Sequence, residues 1–120
     1  MAFTQKRLAG PTQLTTTSTT VLYTVPISTT AIVKQIVLCN TTGSAVTVTL
    51  VLKPLNVAQA TTQNFLTAMS LAANETVMMS TSLVLNNTGA AASATTSDQI
   101  IGYASANSAV NIILTGIEEA

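Results

Sequence analysis

The sequence predicts an all-β chain folded as a single antiparallel β-sandwich of about seven or eight short strands, a jelly roll among the forms that count allows. Three observations lead there. Twenty-three of the 120 residues are threonine, and threonine, like valine, is branched at Cβ, so it suits a pleated sheet and loses rotamer freedom in a helix. Apolar residues recur with a period of two in several runs. Gly, Asn, Ser and Pro clusters separate those runs at short intervals. A chain of this length is one domain's worth and builds one core.

The elements follow in order. Residues 1–20 read as an extended N-terminal arm, because Gly10-Pro11 interrupts the chain and the Thr-rich run 15–20 lacks alternation; the sandwich domain is then 21–120. A strand over 21–25 is closed by Pro26, and Tyr23 shares a parity with Val21 and Val25, which directs its ring to the core. Residues 31–39 are apolar on both parities, broken only by Lys34 and Gln35. Over 45–53, Val46, Val48, Leu50 and Leu52 alternate with Thr47, Thr49, Val51 and Lys53. The intervening Asn40-Thr41-Thr42-Gly43-Ser44 has turn chemistry, so these two runs are expected to pair as a hairpin.

Residues 54–64 read as a loop. The stretch 65–73 carries two signals: Phe65, Met69 and Ala73 have helical spacing, while the surroundings favour extended chain, and strand is the preferred reading. A strand over 76–80 and a short run over 83–85 precede Asn86-Asn87-Thr88-Gly89, and the low-complexity 89–97 is a loop. Strands over 99–104 and 109–117 close the chain, the latter placing Val110, Ile112 and Leu114 opposite Asn111, Ile113 and Thr115. No repeat of fixed period is present, which disfavours a solenoid.

Composition removes most chemistry. There is no histidine, and four basic and four acidic residues leave a net charge of zero, so no field draws nucleic acid or an anionic membrane. No apolar run has the length of a membrane-spanning helix, and the basic pair Lys6-Arg7 is not followed by the apolar core of a secretory signal. Cys39 is alone, which excludes an internal disulfide and reads as a small buried hydrophobe. A metal site lacks clustered ligands, a nucleophilic Ser or Thr lacks a base, and Glu118 and Glu119 point to opposite faces of a strand. Five dispersed glycines form no phosphate loop. Three Asn-x-Ser/Thr matches, at Asn40, Asn74 and Asn86, are what eight asparagines and 33 Ser plus Thr give by chance. The Thr-x-Thr pairs are too few for an ice-binding ladder. No enzymatic activity and no cofactor are expected.

What remains is the surface. A charged fraction of 7% and a mean hydropathy of +0.51 imply that part of it faces other protein. Val51, Ile101, Ile113 and Ile117 are apolar on nominally polar strand faces, to be covered either by further copies and a larger shell or by the chain's own loops, tyrosines and arm. The arm, with Phe3, Lys6, Arg7 and Leu8, is placed to reach a neighbour. These eight residues are the candidate assembly contacts.

The succession Val21-Leu22-Tyr23-Thr24-Val25-Pro26, Thr30-Ala31-Ile32-Val33-Lys34, Asn40-Thr41-Thr42-Gly43-Ser44-Ala45-Val46-Thr47-Val48-Thr49-Leu50 and Leu71-Ala72-Ala73-Asn74-Glu75-Thr76 resembles small β-sandwich structural proteins of tailed bacteriophage particles, over about residues 20–117. The resemblance implies a virion component assembled in the host cytoplasm: a head decoration or cement protein, or a neck, tail or fibre subunit. Implied partners are copies of itself and a major capsid or tail protein. A different class, a glycan-binding module for host attachment, would rest on Tyr103.

Overall fold

The computed structural model describes residues 3–87 and 97–119. Eight strands carry the fold: β1 (Phe3–Gln13), β2 (Val21–Thr24), β3 (Thr30–Asn40), β4 (Val46–Lys53), β5 (Asn64–Leu71), β6 (Thr76–Asn86), β7 (Gln99–Ala104) and β8 (Val110–Glu119), with one 3-10 turn at Thr61–Gln63 ahead of β5. They form two four-stranded sheets, in the orders β1-β8-β3-β6 and β2-β7-β4-β5, and every neighbouring pair is antiparallel. The chain changes sheet at each connection except β4 to β5. That wiring is a jelly roll, two Greek keys folded together.

Alternation places the core between the sheets. Ile36 and Leu38 of β3, Leu85 of β6 and Ile112 and Leu114 of β8 face Val48 and Leu50 of β4, Leu71 of β5 and Ile100 of β7, all essentially inaccessible to solvent. Tyr23 and Val25 join them, whereas Val21 is exposed because a register shift between Val21 and Tyr23 separates their parities.

Four expectations need correction. The runs around 31–39 and 45–53 do not form a hairpin, since β3 and β4 lie in different sheets. Both edges of β3 are already taken, by β6 and β8, and the turn between them is an arch held by Asn40. Its buried Nδ2 donates to the carbonyls of Ser44 (2.8 Å), Leu71 (3.3 Å) and Ala72 (3.1 Å), while its Oδ1 accepts from the backbone N–H and hydroxyl of Thr42. The N-terminal segment is not an arm apart from the sandwich: β1 lies along β8 from Phe3 opposite Glu119 to Gln13 opposite Asn111, and Leu14 enters the core. Register shifts after Arg7 and Ala9 spoil the alternation that marks the other strands. The runs 76–80 and 83–85 are one strand, β6, with a register shift against β3 between them. Cys39 is half-buried, on the outer face of β3. The strand reading of the two-signal segment agrees with β5, and most of the loop expected over 89–97 lies outside the described residues.

Candidate assembly surface

The two sheets present unlike outer faces. On the β2-β7-β4-β5 sheet, Val51 pairs with Ile101 across β4 and β7, and these residues are only 1% and 2% exposed. The chain covers them itself. Residues 54–63 fold back over this face, tied at one end where Asp98 Oδ1 accepts the Leu55 N–H (2.8 Å) and further on where Gln59 Nε2 donates to the Ser18 carbonyl (2.7 Å). The Thr-rich segment supplies the other margin, with Thr15 and Thr20 carbonyls accepting from Ala104 and Gly102 of β7. Val51 and Ile101 are therefore closed off within the chain and offer no surface to a neighbour.

The outer face of β1-β8-β3-β6 is left open. The register aligns Ile117, Ile32 and Val84 in one row across β8, β3 and β6, and Ile113, Val37 and Met78 in a second. Between the rows lies a polar line of Thr115, Gln35 and Ser80. Met78 is 68% and Val84 52% exposed, and the other four are half-buried. Ile32 and Val37 share this face despite opposite parities because the strand carries an extra residue, Lys34, relative to β8.

Of the expected contacts, Ile113 and Ile117 are thus brought together on one face. Arg7, opposite Thr115, extends the polar line on β1 and is exposed, as is Lys34; neither has an ion-pair partner among the described residues. Lys6 is spent within the chain: its Nζ lies 3.1 Å from Glu118 Oε1. The other carboxylate oxygen of Glu118 accepts the Tyr23 hydroxyl, so this one side chain ties β8 to β1 and to β2 of the opposite sheet. Burial, then the bond to Glu118 and its negative charge, push the Tyr23 phenol well above its ordinary range. Leu8 packs against the core, and the Phe3 backbone sits opposite Glu119 at the strand end. The sequence reading missed Ile32, Val37, Met78 and Val84. Alternation over a continuous 76–86 strand would have found the last two.

Depressions in the surface are shallow. One of about 440 Å³ is lined by Gln5, Lys6, Lys34, Thr115, Gly116 and Ile117, and a smaller one of about 100 Å³ lies between Ile32 and Ile117. On the covered sheet, Tyr103 lines a hollow of about 360 Å³ with Ser18, Thr19, Gln59 and Asn64. Among the described residues no three metal-ligating side chains converge, and no helix is long and apolar enough to cross a membrane.

The fold and this surface define a class: an eight-stranded jelly roll closed on one face and apolar on the other. Among solved structures the chain is similar to the tobacco streak virus coat protein dimer, at 10% identity over 97% of this chain and 82% of that one, with a TM-score of 0.43. It is also similar to a chain in the structure of infectious bursal disease virus Gx strain, at 15% identity over 98% of this chain and 30% of that one, with a TM-score of 0.42. No family model and no curated protein matches the chain.

Proposed function

We propose that this chain is a non-enzymatic structural subunit of a virus particle, a head decoration or cement protein that docks on the shell through the outer face of its β1-β8-β3-β6 sheet. The observation that carries the reading is the contrast between the two faces. Loops cover Val51 and Ile101, yet six apolar side chains in two aligned rows remain open on the other side. Exposed apolar side chains gathered on one face mark a site of protein contact. The occupant is the major capsid protein, and Arg7 and Lys34 on the polar line are available to its carboxylates. The test is quantitative mass spectrometry of purified particles, followed by rebinding of the chain to capsids that lack it. Wild-type chain should rebind and raise capsid stability, and Ile113→Asp/Ile117→Asp should not. Particles devoid of the chain, or capsids whose stability is indifferent to it, would sink the proposal. A neck, tail or fibre subunit would use the same face, and copy number separates the two, being large for a coat and small for a tail element.

A second reading, attachment to cell-surface glycans, is favoured by one observation. Tyr103 lines a hollow that also holds Ala60 and the hydroxyl and amide side chains of Ser18, Thr19, Gln59, Thr61 and Asn64, an aromatic ring set among hydrogen-bonding groups. Saturable binding on a glycan array, abolished by Tyr103→Ala, supports it; silence at high protein concentration removes it.

A further inference from the structure

β6 is an edge strand of its sheet. Asn40 N–H donates to the Glu75 carbonyl (2.8 Å), so Glu75, and by alternation Val77 and Met79, direct their backbone groups towards β3. Thr76, Met78 and Ser80 then direct theirs outward. At the far end Asn86 donates to Asp98 Oδ2 (3.0 Å) and accepts from the Asp98 N–H (2.9 Å). Its backbone groups therefore also point outward, as do those of Val84. Asp98 fills the Asn86 end. For the outward groups of Thr76, Met78, Ser80 and Val84 no partner lies among the described residues, because β6 ends its sheet.

An unpaired edge recruits strands unless it is blunted. The other three edges are blunted here. β1 carries Lys6, Arg7, Pro11 and two register shifts; β2 is four residues long with Pro26 just beyond it; β5 has two register shifts and a left-handed Ala68 at φ 45°. β6 runs eleven residues without a charge or a proline. Its order is also symmetric about Thr81: polar Thr76, three apolar residues, polar Ser80-Thr81-Ser82, three apolar residues, polar Asn86. In a two-fold contact residue i meets j and j meets i, and such a sequence matches its own reverse.

We propose that residues 78–84 of β6 pair antiparallel with the same residues of a second copy about a two-fold axis at Thr81, Thr76 staying outside the ladder because Asp98 holds the place opposite Asn86, and that this joins two β1-β8-β3-β6 sheets into one eight-stranded sheet. Met78 then faces Val84 of the second copy, and Ser80 faces its Ser82. The register shift of β6 falls at the axis, so the flanks carrying Met78 and Val84 lie on either side of it. Each apolar row of one copy, Ile117, Ile32 and Val84, continues into Met78, Val37 and Ile113 of the other. The proposal stands apart from the virion reading, because it rests on the edge and not on what docks against the face.

Sedimentation equilibrium of the full chain tests it, with circular dichroism melting to confirm that each variant folds. The wild type should be a dimer. Met78→Lys/Val84→Lys sets lysine against lysine twice and should weaken association at least about tenfold. Met78→Lys/Val84→Glu sets lysine against glutamate twice and should restore the dimer. Both positions are exposed, so the melting transitions should stay close to wild type. A wild-type chain that is monomeric at every concentration, a dimer indifferent to the lysine pair, or a lysine-glutamate variant as weak as the lysine-lysine one would each overturn the proposal. Particle mass spectrometry decides the virion reading separately.

Discussion

Gly116 lies on the inward parity of β8, where β3 passes so close that no side chain fits. A Cβ added there would stand 2.0 Å from the Ile32 carbonyl oxygen and 3.1 Å from Leu8 Cδ1. The first obstacle is backbone held in two ladders, which cannot swing aside as a side-chain tip does. Gly116→Ala should therefore cost about 2 to 3 kcal/mol, in the range of overpacked cores, read as a lower urea midpoint; an unchanged midpoint would show that β3 and β8 separate freely at this point. Tyr23 sets a second expectation. Its phenol is held above the ordinary value of about 10 by burial and by Glu118. The unfolded chain thus loses this proton at a lower pH than the folded one. Its contribution to stability is full below pH of about 10 and declines as pH rises towards the folded value. In urea titrations at stepped alkaline pH, Tyr23→Phe should lack that part of the decline. Equal slopes for the two proteins would place the phenol outside the linkage.

Among elements, the arch between β3 and β4 decides the topology. Asn40 satisfies both ends of its amide with groups from three places: its own turn, the end of β5 and the residue after it. Asn40→Ala takes the amide away from the buried Leu71 carbonyl and the part-buried Thr42 N–H, while the Ala72 carbonyl keeps the Glu75 N–H, and each buried group left unsatisfied costs about 1 to 3 kcal/mol. A loss of about 2 to 4 kcal/mol in urea denaturation is expected, and a loss under about 0.5 kcal/mol would mean that water replaces the amide. The same residue shows where sequence reading stops. Strand positions were legible because a period of two is local, and β4 and β8 follow it closely. Whether Asn-Thr-Thr-Gly-Ser turns a hairpin or an arch depends on carbonyls some thirty residues later, which no local pattern encodes. β1 was obscured by its register shifts, and β6 was split in two by the polar Ser80-Thr81-Ser82 at its centre. The candidate surface was half visible for a related reason. Ile113 and Ile117 stand out by alternation on β8, whereas Val51 and Ile101 look identical in sequence and differ only in having residues 54–63 folded over them.

At the scale of the molecule, that difference separates stability from association. Neighbours on β8 point to opposite sides: Ile112 is fully buried between the sheets and Ile113 lies on the open face. Ile112→Ala removes atoms from a packed core and should cost about 2 to 5 kcal/mol. Ile113→Thr keeps a branched strand former on a half-covered surface and should change stability by less than about 1 kcal/mol. If the open face is the docking surface, the order reverses in association. Ile113→Thr/Ile117→Thr should lose most of its binding to capsids lacking the chain, while folding almost as well as wild type. Binding of the wild type should also vary little between low and moderate salt. The face is mainly apolar, and among the described residues only Arg7, Lys34 and Glu119 bring charges to it for ions to screen. Co-sedimentation with capsids over a salt series reads both effects. Release of the wild-type chain at a few tenths molar salt, or undiminished binding by the double threonine variant, would move the docking contact off this face and onto the charged margins.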